Sequence, residues 1–258
     1  MVKAIFAKVV ILGWLLNLCG CATLYNSATG RNELIFINSA TETAMGRNVQ
    51  NDLLKKHPLV NDLALQQRAQ RVGRLVAESS DRKDIVYSFF VLADKELNAL
   101  ALPGGYIYVY KGLMDIINDD ELAYVLGHET GHVAARHIAK KLQSNLAYQL
   151  ILNMAFSGAT ATTGVNARPI ALGVDKIYNL IELGFSRKDE YEADRLAAKY
   201  AFRSGFNPYG AISALEKIKK QEGPNWKVLG YFRSHPYADE RIKALAGFIP
   251  GLTAPKNN

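Results

Sequence analysis

The stretch from Asn118 to Leu142 limits the fold more than any other, because it reads as one long helix that carries two imidazoles a turn apart. Asn118, Asp119, Asp120 and Glu121 supply a cap and an acidic first turn, no Pro follows as far as Leu142, and Arg136, Lys140 and Lys141 sit near the far end. Those charges suit a helix dipole, acids at its start and bases at its end. Inside the stretch lies His128-Glu129-Thr130-Gly131-His132. Residues four apart on a helix differ by about 40° in direction and about 6 Å in height, so both rings can face one ion. Glu129, one step round, reaches a water held by that ion and not the ion itself.

A catalytic zinc takes three protein ligands and keeps a fourth place for water, so a third ligand is needed. An extended motif with Gly three and His six residues after His132 is excluded, since these positions are Ala135 and Ile138. His137, five beyond His132, should turn away from the metal face and serve as a solvated or capping residue. A carboxylate from a later helix remains, and Glu190 with Asp194 fits, because four-residue spacing stacks both on one face. Glu190 would bind zinc, and Asp194 would orient a zinc imidazole through its other nitrogen. Glu192 is a rival, but on a helix it lies about 160° from Asp194 and should face elsewhere.

The chain start places the protein. Lys3 and Lys8 precede an apolar run from Val9 to Leu16, and Leu18-Cys19-Gly20-Cys21 follows. Residues 1–20 read as a signal peptide. A Leu three residues before a Cys, with Gly directly before it, resembles the bacterial lipobox and makes Cys21 the acylated first residue of a mature lipoprotein. Cys19 leaves with the signal, so no thiol remains for a disulfide or a Cys-ligated metal. Several acyl chains on one residue hold a protein on a membrane stably. Ala22 in place of Asp favours the outer membrane if the host is Gram-negative. Lys3 and Lys8 also leave, lowering the formal charge of +7 to +5. That mild charge, without a basic stripe interleaved with aromatics, argues against nucleic-acid binding.

At 258 residues, 49% of them hydrophobic and 21% charged, the chain has the composition of a single globular domain. Residues 21–40 read as the lipidated Cys21 and a tether, 41–250 as the domain and 251–258 as a tail. Thr41 to His57 and Asn61 to Ser80 should form an antiparallel helical pair. Ile85 onward turns β-rich, and the strand-like runs on either side of Pro103-Gly104-Gly105 predict strands joined by a turn. Residues 146–165 carry no charge but are poorly hydrophobic, which favours a buried helix and flexible lid over a membrane span. Ser186 with Asp189 predicts a capping box opening a helix from Arg187 to Ser204. Asn207-Pro208 and Pro236 start the remaining helices.

Four pieces, in order from 98 to 241, resemble one family. They are Asn98-Ala99-Leu100-Ala101-Leu102-Pro103-Gly104-Gly105, His128 to His132, Ser186 to Asp194, and Ser234-His235-Pro236 with Arg241. The family is that of the zinc metallopeptidases related to the CAAX prenyl protease and HtpX. The resemblance implies an α+β, mainly helical zincin-like (gluzincin) fold. It further implies one Zn2+ per chain on His128, His132 and Glu190, Glu129 as general base, and endopeptidase activity on polypeptide substrates. In such folds an edge strand pairs with extended substrate; Asn98 to Leu102 or Tyr106 to Tyr110 could be that edge. His235 is expected near the zinc, binding the oxyanion or latching the open place, and Arg241 assists or pairs with an acid. The rival reading is a chaperone-like envelope assembly lipoprotein whose zinc is structural or latched.

Overall fold

The computed structural model describes residues 23–157, 174–222 and 230–254. The signal segment, Cys21, residues 158–173 of the expected lid and the last four residues lie outside the described residues.

The architecture is mainly helical α+β. The stretch expected as a tether instead begins with a hairpin, β1 (Thr23–Asn26) paired with β2 (Arg31–Leu34). Helix α1 (Ser39–Lys56) is capped by Asn38 and α2 (Leu63–Glu78) by Asp62, each side chain accepting a backbone N–H three residues on. The expected helical pairing of these two does not form. Helix α2 packs on β3 (Ser88–Leu92) and on the central helix α4 (Asp119–Ala134), whereas α1 packs on β4 (Ala99–Leu102), β5 (Tyr106–Tyr110) and α6 (Val174–Glu182).

The three strands form a sheet in the order β3-β5-β4, with β3 parallel and β4 antiparallel to β5. Tyr106–Tyr110 is therefore the central strand, which removes it as a candidate substrate edge. Strand β4 keeps one unpaired side, yet its four residues are buried beneath α1, α4 and α6. The β4–β5 turn needs Gly104, whose φ is +79° and where a Cβ would lie 2.4 Å from the Thr43 Cα. This turn packs on α1, and Gly105 abuts the Val86 carbonyl.

A short α3 (Lys111–Met114) leads to α4, which opens with a full capping box between Asn118 and Glu121 and is buried from Glu121 to Ala134. Its main partner is α7 (Arg187–Arg203), capped reciprocally by Ser186 and Asp189. Gly127 and Gly131 line that contact. A Cβ would sit 3.2 Å from the Ala197 Cα at the first and 3.0 Å from the Ala193 oxygen at the second, so small residues on both helices let the backbones close up.

The long helix expected to reach Leu142 breaks at Ala135–Arg136. Arg136 adopts φ +57°, and a new helix, α5 (His137–Ser157), begins. The contacts that hold Arg136 there are remote in sequence. The Arg136 guanidinium reaches Glu42 at 2.5 Å and Asp84 at 3.1 Å, and Arg82 binds the other Glu42 oxygen at 2.9 Å. Lys140 and Lys141 consequently lie near the start of a helix, not the end of one, and bind Glu33 at 2.8 Å and the Gly184 carbonyl. Ala147 and Tyr148 of α5 are exposed, against the buried helix expected there. Among the described residues no helix is long and apolar enough to cross a membrane. Helices α8 (Gly210–Glu222), α9 (Tyr231–Ser234) and α10 (Ala238–Thr253) complete the domain, the last running into the expected tail.

Candidate metal centre

Helix α4 delivers His128, Glu129 and His132, α7 delivers Glu190 and Asp194, the end of α9 delivers His235, and α10 delivers Arg241. The Nε2 atoms of His128 and His132 lie 3.0 Å apart. Glu190 faces both, with Oε2 3.4 Å from His128 Nε2 and Oε1 3.5 Å from His132 Nε2. His235 joins them, its Nδ1 3.2 Å from His128 Nε2 and 3.3 Å from Glu190 Oε1. One ligand atom from each of these four residues falls within 4.8 Å of all the others. The His235 Nε2 lies 3.4 Å from Glu129 Oε1.

The donor set suits a metal ion, since two imidazoles and a carboxylate are the common ligands of a catalytic centre and the fourth group stands in the remaining place. One orphaned atom supports this. Among the described residues nothing donates to the buried Glu129 Oε1, whereas Glu190 Oε2 already has the Arg241 guanidinium at 2.9 Å. A buried carboxylate oxygen without a donor is costly, and a nearby cation relieves the cost. All five groups are sealed, with exposures between 0 and 2%.

Asp194 stands behind His128, accepting from Nδ1 at 2.9 Å and from the Tyr124 hydroxyl at 2.8 Å. Arg241 grips the same carboxylate with two hydrogen bonds of 2.8 and 2.7 Å and donates to the His235 carbonyl at 3.0 Å. Burial and Arg241 both oppose charging of His128, but hydrogen bonds to Asp194 and Glu190 prevail and push its pKa up to about 9. Burial holds His132 well below the usual imidazole range. Burial would raise Glu190, but Arg241, His235 and the two imidazoles hold it well below the usual carboxylate range.

His137 does not turn into solvent. It is buried, with its Nδ1 3.0 Å from His132 Nδ1, because the break at Arg136 voids the helical-wheel projection that sent it elsewhere. Glu192, set aside as facing elsewhere, accepts from His137 Nε2 at 3.2 Å and so stands behind the second imidazole. Two aromatics also escaped notice. Phe185 stacks on His132 at 4.0 Å between centroids, and Tyr231 on His235 at 4.7 Å. Tyr124 could have been found, since it precedes His128 by four residues on the same face; nothing local marks the others. Asn98 is buried, its side chain accepting the Ala99 N–H, and Ala99 and Leu100 lie in the covered strand β4 beside α4.

The chain resembles the mitochondrial metalloendopeptidase OMA1 of Schizosaccharomyces pombe, 30% identical over 181 residues, 70% of this chain and 52% of that protein. Metalloprotease LoiP of Escherichia coli is 32% identical over 156 residues, 60% of each chain. The beta-barrel assembly-enhancing protease of the same bacterium is 26% identical over 208 residues, 78% of this chain and 42% of its own. The chain spans about half the length of the curated relatives it matches. Residues 63–249 match the family described as Peptidase family M48. That match runs through every helix converging on the four clustered side chains, over well more than half of the chain, and the chain belongs to peptidase family M48.

Proposed function

We propose that this protein is a zinc-dependent endopeptidase, held on a bacterial envelope membrane by acylated Cys21, that cleaves unfolded or misassembled envelope polypeptides. The observation that carries the reading is the convergence of His128, His132 and Glu190 beside a buried Glu129 whose Oε1 lacks a donor. One zinc ion per chain would be held by His128, His132 and Glu190. When bound, it supplies a Lewis acid for the scissile carbonyl and makes the attacking water more acidic. Glu129 takes a proton from that water as its oxygen bonds to the carbonyl carbon, and passes it to the amine nitrogen as the C–N bond breaks. Asp194 accepts the His128 Nδ1–H and keeps Nε2 directed inward, while Arg241 keeps Asp194 ionised and in place.

His235 stands where a fourth ligand would stand. We read it as a latch in this closed arrangement, and as the donor to the developing oxyanion once it swings aside. Of the two strands expected as a substrate edge, only β4 keeps an unpaired side; Asn98, just before it, with Ala99 and Leu100 would pair with extended substrate once the helices covering the strand part, and the Gly104–Gly105 turn holds β4 against β5. The relatives' names, metalloprotease and beta-barrel assembly-enhancing protease among them, support proteolysis in the envelope. The lipobox-like Cys21 supports a lipid anchor, on the periplasmic face of the outer membrane in a Gram-negative host. Residues 41–250 would be the peptidase domain.

The latched arrangement of His235 also favours a second reading, an assembly factor whose zinc is structural. Cleavage of casein by the form starting after Cys21, with and without chelator, decides between them when set beside Glu129→Gln. A peptidase loses turnover in that variant and keeps its metal; an assembly factor cleaves nothing in either form.

A further inference from the structure

Behind His132 three side chains stand in line. His132 Nδ1 is 3.0 Å from His137 Nδ1, and His137 Nε2 is 3.2 Å from Glu192 Oε2 and 3.5 Å from Asp189 Oδ1. Arg31, from the N-terminal hairpin, closes the line with a fork, Nη1 and Nη2 each 2.8 Å from one Glu192 oxygen. His132 and His137 are buried, and Arg31 is about half exposed.

Only one distribution of protons satisfies this geometry with His132 Nε2 free to bind an ion. The His132 proton must then sit on Nδ1, where its partner among the described residues is His137 Nδ1. That atom must accept, so the His137 proton sits on Nε2 and is donated to the Glu192 carboxylate. With the His137 proton on Nδ1 instead, two N–H groups would collide, or His132 would carry its proton on Nε2 and aim it at His128 Nε2, 3.0 Å away. A carboxylate behind a metal imidazole is a common way to fix tautomer and aim. His128 has Asp194 directly; His132 is reached through one extra ring.

We propose that His137, Glu192 and Arg31 are positioning residues that set the tautomer and direction of His132, so that the N-terminal hairpin forms part of the metal centre. The inference rests on His132 being a metal ligand, as in the function proposed above. The test uses the full chain in detergent, with two readouts independent of peptide cleavage. Zn2+ affinity is read by competition with a chromogenic chelator, and the His132 tautomer by imidazole 15N chemical shifts in the metal-free protein. His137→Leu and Glu192→Leu should weaken Zn2+ binding about 10- to 100-fold and leave His132 as a mixture of tautomers. Arg31→Ala should do the same to a lesser degree. His137→Gln keeps an acceptor for His132 and a donor for Glu192, and should bind Zn2+ within a fewfold of the parent.

The proposal is overturned if His137→Leu binds Zn2+ as the parent does, or if His137→Gln is as weak as His137→Leu, which would make the ring's packing the only contribution. Should Glu192→Leu fail to fold, the two His137 variants and Arg31→Ala decide. A parent chain that binds no Zn2+ would refute the underlying function instead, so the two failures are distinct.

Discussion

Arg241→Met tests the electrostatics of the centre without replacing a proposed metal ligand. Arg241 is fully buried, and its guanidinium holds Asp194 by two hydrogen bonds, pairs with Glu190 at 2.9 Å, and donates to the Tyr124 hydroxyl at 2.9 Å. Burial works against its charge, but Asp194, Tyr124 and Glu190 hold its pKa well above the usual range, so it is a cation at every accessible pH. Methionine fills much of the same space and removes the charge, leaving two carboxylates in the interior with fewer donors. Breaking a buried pair in this way costs about 3–5 kcal/mol. At roughly 2–4 °C per kcal/mol for a domain of this size, the metal-free protein should melt about 6–20 °C lower. Circular dichroism on chelator-treated protein measures the shift. Repeating the substitution in an Asp194→Asn background should recover part of the loss, because one of the stranded charges is gone. A melting point within a degree or two of the parent, or an equal cost in both backgrounds, would show that the guanidinium does not stabilise those carboxylates.

Three further outcomes follow from the structure. His235→Ala should lower cleavage about 100-fold by removing an oxyanion donor and should weaken zinc retention; wild-type values for both in a casein and chelator assay would sink the role given to His235. Gly131→Val should cost about 1–3 kcal/mol in urea unfolding through overpacking against Ala193 and Leu196, and a neutral effect would refute the close helix contact. Glu121 gives a pH signature. Burial would raise its pKa, but Lys217, the Asn118 N–H and Ser213 hold it below its ordinary 4.5. Its folded pKa is depressed, so its contribution is complete above about pH 4.5 and is lost as the pH falls through the lower folded value. Glu121→Gln should flatten the decline of stability below pH 4.5, and an unchanged decline in acid-unfolding curves would exclude the ion pair as its source.

What could be read from the chain alone was set by short-range physics. The caps at Asn118 and Ser186 and the four-residue spacings of His128 with His132 and Glu190 with Asp194 depend on residues a turn apart, and all appear on the helices expected. What could not be read depends on partners far along the chain. No propensity in Ala134-Ala135-Arg136-His137 marks a left-handed residue; in that conformation Arg136 binds Glu42 and Asp84, 94 and 52 residues away. The same break returns His137 to His132 and brings it to Glu192, so one unforeseen dihedral accounts for two misjudged side chains. The parallel pairing of β3 with β5 is likewise decided by sheet order and not by either strand's composition. The hairpin is not legible because its strands are four residues each, too short for alternation to stand out from a linker.

The sealing of the reactive groups has a kinetic consequence. With five side chains at 0–2% exposure, neither a polypeptide nor a chelator can touch them in the arrangement described. On the function proposed above, an encounter with substrate or metal would require a motion that parts the walls. Observed affinity for any visitor is then its intrinsic value diluted by the fraction of time the gate stands ajar. Substitutions that loosen the walls can accelerate turnover and metal escape together, and the two rates should rise in step.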